Sequence, residues 1–139
     1  MSMRTEYPAK VLLAWGEAIS GHTKLRDWLI ANGYPELGIF TFALRNKQDA
    51  RKWLMDNGHA HLMAVITGIE GDKRALEWLE RNGMLVLKHV ALAGDGDEES
   101  FQWLLQQGHK ELAMLGKKMH HVKQGMDEDY TDPHKYMQD

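Results

Sequence analysis

The chain has 139 residues, no cysteine, 43% hydrophobic and 27% charged residues, and a formal net charge of −3 at pH 7. That length suffices for one domain with its own apolar core, and the lack of cysteine excludes a disulfide framework, a thiolate zinc site and a cysteine nucleophile. The acidic balance argues against a dedicated nucleic-acid binder, no apolar run approaches the roughly eighteen residues of a membrane span, and the opening residues lack a signal-peptide pattern, so a cytoplasmic location is expected.

In chain order, the first predicted element is a helix around Leu12, Trp15, Gly16 and Ile19, whose offsets of three, four and seven describe one helical stripe and not a strand. A polar break at 20–22 leads to a second helix in "LRDWLIANG", 25–33. Its closing Asn-Gly is a stop signal, because glycine adopts the left-handed conformation past the last turn without a side-chain penalty. Leu37, Phe40, Thr41 and Leu44 mark a third helix, and "ARKWLMDNG", 50–58, a fourth. Leu62, Val65, Ile66 and Ile69 mark a fifth and "ALEWLERNG", 75–83, a sixth. Leu87 and Val90 lie in a seventh and "SFQWLLQQG", 100–108, is the eighth. Asn46, Asp72 and Asp97 are expected to cap the helices that follow them, since a short oxygen side chain accepts the unpaired N–H groups of a first turn. The ninth, with Leu112, Leu115 and Met119 in its stripe, has no Trp-Leu helix after it.

These elements repeat. Trp28, Trp53, Trp78 and Trp103 stand 25 residues apart (53 less 28, and so on), and leucine holds the fourth place of every block: Leu12, Leu37, Leu62, Leu87 and Leu112. The predicted fold is all-α, an αα-hairpin solenoid of about four and a half 25-residue repeats. Its single domain spans 1–124, with repeats 9–33, 34–58, 59–83 and 84–108 and a C-terminal cap at 109–124; 125–139 is expected to be a flexible polar tail, with Tyr130 and Tyr136 as possible clamps onto the stack. Pairs this short are marginal alone, so each block must lay its apolar stripe on the next. The four tryptophans, and Trp15, are expected in that shared core, with Trp53 and Trp78 the costliest to truncate.

The stretch "GDKRALEWLERNG" opens on one glycine and closes on another, with the Trp78-Leu79 pair between, and small residues recur at Ala18, Ala43, Gly68 and Ala93. In these features the block resembles an ankyrin repeat, in a short form without the Thr-Pro-Leu-His opening or the β-hairpin finger. The resemblance implies a scaffold that binds another protein or peptide.

On the first helix of each block, places five and nine point away from the stripe: Leu13 with Glu17, Gly38 with Phe42, Met63 with Thr67, and Lys88 with Leu92. Leu13, Phe42, Met63, Lys88 and Leu92 are therefore the candidate partner-binding residues. Packing against neighbouring helices or the tail is the competing reading of the same side chains. Two other functions are weighed: a metal-dependent site from His59, His61 and nearby acids, and phosphate or nucleic-acid binding through Arg45, Lys47, Arg51 and Lys52. No metal motif supports the first, and His59, His61 and His109 read as solvent-facing turn residues, with His89 partly buried. Ser2, Ser20 and Ser100 lie outside any nucleophile-elbow pattern, and there is no glycine-rich phosphate loop. The acidic runs at 95–100 and 127–132 lack the glycine and glutamate of a calcium loop. The expectation is a protein without catalytic residues, cofactor or resident metal.

Overall fold

The structure, a computed structural model, describes residues 4–131, with side chains as far as residue 126. The expectations for Ser2 and for the Tyr130 and Tyr136 side chains lie outside what it describes. The described residues form nine α-helices and no strand: α1 (Ala9–Ile19), α2 (Thr23–Ala31), α3 (Pro35–Leu44), α4 (Gln48–Asp56), α5 (Ala60–Ile69), α6 (Lys73–Arg81), α7 (Leu85–Gly94), α8 (Glu98–Gln106) and α9 (Lys110–Thr131). None of them is long and apolar enough to cross a membrane.

Local chemistry explains the boundaries. Asn32, Asn57 and Asn82 each donate a side-chain N–H to the carbonyl of the tryptophan four residues earlier, all at 2.8 Å, adding a second donor to a carbonyl that already accepts the asparagine's backbone N–H. The next residue reverses the chain: Gly83 has φ +74°, a conformation that a Cβ would strain. His22 and Asp72 cap α2 and α6 by accepting the N–H groups of Leu25 (3.2 Å) and Arg74 (3.0 Å). The expectation for Asn46 is corrected. It occupies the left-handed region itself, at φ 69°, a role asparagine tolerates better than most residues, and Lys47 stands at the cap of α4. Asp97 stands at the cap of α8, but its carboxylate accepts the Ser100 hydroxyl and no backbone N–H of the first turn.

The odd-numbered helices pack in succession, α1 on α3, α3 on α5, α5 on α7 and α7 on α9, and α9 then packs back on α1, so the five close a cycle around a shared interior. Trp15, Phe40, Val65, Val90 and Leu115, one from each helix, are all buried, with the Trp15 and Phe40 rings edge-on at 5.0 Å. Closure depends on small residues. A Cβ on Gly16 of α1 would sit 3.3 Å from Lys118 of α9, and one on Gly116 would sit 2.8 Å from the Ala93 methyl of α7. At the C-terminal end of the cycle, Lys123 donates to the Leu44 carbonyl (3.2 Å) and to Glu70 (2.9 Å), tying α9 to both α3 and the end of α5. Burial pushes the Glu70 carboxyl up, but hydrogen bonds from Arg51 and Lys123 outweigh it and hold the group below its usual range.

Each even-numbered helix lies over the junction between the odd helices on either side of it: α2 over α1 and α3, α4 over α3 and α5, α6 over α5 and α7, α8 over α7 and α9. The residue that each drives into its junction is the leucine after the tryptophan. Leu29, Leu54, Leu79 and Leu104 are all 0% exposed, whereas Trp28 is 46% exposed and Trp53, Trp78 and Trp103 are only partly buried. This corrects the expectation that the tryptophans fill the core. Adjacent residues on a helix point about 100° apart, so only one of the pair faces the junction centre; the tryptophan covers its shoulder, as Trp53 does by stacking on His59 and Trp103 on His89. Trp15 is buried as expected. α9 runs without a break past residue 124 to Thr131.

Candidate functional site

Residues 4–8 lie across the N-terminal ends of α3 and α5, and there the structure gathers its most concentrated polar cluster. Glu36 of α3 is buried, and its carboxylate accepts from the Arg4 guanidinium (2.6 and 2.9 Å) and from the Tyr7 hydroxyl (3.1 Å). Arg4 also donates to the Gly33 carbonyl at 2.6 Å and sits over the Tyr34 ring at 4.8 Å. Burial together with the charge of Glu36 pushes the Tyr7 phenol well above its ordinary value. His61 of α5 is fully buried and its Nε2 meets the Arg4 carbonyl at 2.8 Å, which places the proton on Nε2. The solvent-facing assignment of His59 and His61 is thereby corrected: His59 is half-buried against Trp53, and the Nδ1 atoms of both histidines are buried with no hydrogen-bond partner among the described residues. The residues that sequence reasoning missed here are Arg4, Tyr7, Tyr34 and Glu36.

Burial lowers His59, His61 and His89 below the ordinary imidazole value, because an imidazolium loses its hydration there. The folded chain therefore binds fewer protons at these sites than the unfolded chain, and stability is lost as pH falls below about 6.5, the unfolded value. Urea midpoints are expected to drop steadily between about pH 7 and pH 5, with a shallower slope in His61→Asn. A flat profile across that window would show that these rings accept protons in the folded state as freely as in water.

Beside this cluster, a groove of about 530 Å3 runs between residues 5–7 and the starts of α7 and α9, with Leu12, Met84, Leu85, His109 and Leu112 among its lining. Within the cluster neither Glu36 nor His61 reaches solvent, and the part-exposed Arg4 closes it from outside. Its chemistry is that of a latch holding residues 4–8 in place. On the far side, His89 Nδ1 stands 3.0 Å from the Ser100 hydroxyl, which donates to Asp97 at 2.8 Å. That order sends the serine proton to the carboxylate and not to the imidazole, and Ser100 is buried, so the trio fastens the start of α8 and does not form a nucleophile. Among the described residues no group of three or more His, Asp or Glu side chains is placed to hold a metal ion. Of the basic residues considered for phosphate, Arg45 donates to the Ile19 carbonyl, Arg51 to Ala43 and Glu70, and Lys52 to Asp56.

The five candidate partner-binding residues do not form one open face. In the second and fourth blocks, residues at places five and nine meet the even helix of the block before. A Cβ on Gly38 would collide with Ile30 of α2, Arg26 of α2 stacks over Phe42 at 4.5 Å, and Lys88 pairs with Glu80 of α6 at 3.0 Å. Met63 is buried and Leu92 half-buried. Phe42 retains an outward edge, in a shallow groove with Ile39 and Trp53. Leu13 alone of the five is widely exposed, at 60%.

The reason lies in the closed cycle. Four of its five junctions carry an even helix; among the described residues the fifth, between α9 and α1, carries none. Place five is covered in α3, α5, α7 and α9, where Ala113 is fully buried, but not in α1. Place six faces the even helix that follows, as His89 faces Trp103 of α8, and at the uncovered junction its occupant Met114 is 43% exposed. The Glu17–Lys118 ion pair, 3.1 Å, crosses this junction. Leu13 lies one helical turn before Glu17 and Met114 one turn before Lys118, so the two apolar side chains flank the junction on the same level. Comparison with family models, curated proteins and solved structures finds no match to this chain.

Proposed function

We propose that the chain is a non-catalytic helical-repeat module, an ankyrin-like unit without its finger, that binds another protein or peptide. The support for a repeat is the even spacing of helix starts, at Thr23, Lys73 and Glu98 among others, together with the common role of Leu29, Leu54, Leu79 and Leu104. One observation carries the binding function: the α9–α1 junction leaves Leu13 and Met114 exposed where the corresponding surfaces elsewhere are covered. The binding surface is thus this junction and not a continuous helix face through Phe42, Met63 and Leu92.

The test is affinity capture from the native cell with the full chain and with Leu13→Ser/Met114→Ser. Both positions are exposed, so the double variant is expected to keep the parent's circular dichroism and melting temperature and to lose the captured partner. Equal capture by the two proteins would reject the junction as the binding surface.

A further inference from the structure

The uncovered junction also specifies what fits it. At each of the other four junctions the occupant is a nine-residue helix that inserts a leucine to full burial and keeps the preceding tryptophan at the edge of the junction. The surface at the fifth most resembles that beneath α4, where Ile39 and Met63 hold the places of Met114 and Leu13; at the other three these places hold Ala14 and Gly38, Ala64 and Lys88, and His89 and Ala113. Two odd helices run side by side in firm contact, with one large apolar side chain on each and an ion pair one turn further along.

As far as Thr131 the chain's own path leads away from this place. The other odd helices end at Ile19, Leu44, Ile69 and Gly94 and turn back through a residue of positive φ: Gly21, Asn46, Gly71 or Gly96. The corresponding residue of α9 is His121, and the helix continues through it. Its neighbour His120 instead donates to the carbonyl of Gly94 at the end of α7 (3.1 Å), holding α9 straight.

Resting on the reading of the junction as the binding surface, we propose that its occupant is an amphipathic helix of a partner protein. This helix carries an aromatic-leucine pair and takes the position that α2, α4, α6 and α8 hold at the other junctions. Its leucine enters between Leu13 and Met114, its aromatic ring lies on the Met114 shoulder as Trp103 lies on His89, and its polar flank meets Glu17 and Lys118. Recognition of this kind is helix-in-groove binding, with the anchor residues supplied by one face of the incoming helix.

The probe is a synthetic capped peptide with the sequence of residues 71–83, GDKRALEWLERNG, titrated into the isotope-labelled full chain and followed by amide and methyl chemical shifts. Expected are saturable shifts centred on Leu13, Glu17, Met114 and Lys118, with a dissociation constant in the millimolar range or tighter because so short a peptide must first become helical. The shifts should vanish for a peptide with serine at the Trp78 and Leu79 positions and for the Leu13→Ser/Met114→Ser protein. No shifts at millimolar peptide, or shifts centred on the α5–α7 surface that α6 covers, would overturn the helix as occupant. So would self-association of the free chain abolished by Leu13→Ser/Met114→Ser, which would assign the junction to a second copy. A tenfold gain in peptide affinity on deleting residues 132–139 would overturn it too, assigning the place to the chain's own end. If the peptide fails while the double variant still loses its captured partner, the occupant is wrong and the binding surface stands. If the peptide binds at the junction while capture is unchanged, the junction accepts a helix and the captured partner binds elsewhere.

Discussion

Leu79→Ala is expected to lower the free energy of unfolding by about 2–5 kcal/mol, and Trp78→Ala, one residue earlier and a larger truncation, by less. Ordinarily the order is reversed, since a buried tryptophan carries more apolar surface than a leucine. Burial decides it here. Leu79 is fully enclosed at the junction of α5 and α7, so truncation leaves a cavity that rigid helices on two sides cannot close. Trp78 is partly exposed, so its removal opens a surface that water can fill, and its carbonyl keeps the Asn82 hydrogen bond whatever the side chain. Urea unfolding of the two variants against the parent measures both losses. A greater loss for Trp78→Ala would mean that α6 is turned about its axis by one residue, which would expose the leucine.

That pair of residues also marks how far the sequence could be read. The stripe of a short helix can be located from its offsets, but offsets define a face roughly 100° wide or more and not its centre. Two adjacent apolar columns, Trp and Leu, therefore share the face equally on paper. Size favoured tryptophan, and geometry favours leucine, because two odd helices in close contact leave a narrow cleft that admits a branched aliphatic side chain and pushes an indole to the side. The helices themselves, their glycine endings and the burial of Trp15, Phe40, Val65 and Val90 were legible because each follows from local periodicity or turn chemistry.

Closure and the polar cluster were not legible in the same way. The contact of α9 with α1 joins residues about a hundred apart, Glu17 and Lys118 among them, and no periodic pattern encodes a contact between the first and last members of a series. A trace of it was present: Gly16 occupies the eighth place of the first block, where Thr41 and Ile66 stand in the second and third, and it admits Lys118 and Leu115 of α9 at close range. Once the cycle closes, the candidate face separates into a covered part and an open one, and Leu13 differs from Met63 because among the described residues no even helix lies over the α9–α1 junction. His61 likewise reads as a surface residue at the start of a helix until the segment containing Arg4 covers it.

Arg4→Met is expected to cost about 1–3 kcal/mol. The guanidinium supplies Glu36 with its only cationic partner among the described residues, and a carboxylate left in that position retains a single donor, the Tyr7 hydroxyl. Methionine preserves the aliphatic length of the side chain and leaves the Arg4 backbone carbonyl available to His61, so the variant isolates the ion pair from the backbone contact. The loss falls short of the figure for a fully buried pair because the Arg4 side chain is itself 43% exposed, and water reaches the vacated space. Adding Glu36→Leu should return most of the lost stability, since replacing both members of a buried polar pair by apolar groups removes the unpaired charge along with its partner. Thermal and urea unfolding of the two single variants and the double variant form a closed cycle whose coupling term is the measure of the latch. A double variant no more stable than Arg4→Met would mean that Glu36 is hydrated in the folded chain. The N-terminal segment would then be held by Tyr7 and by the His61 bond alone.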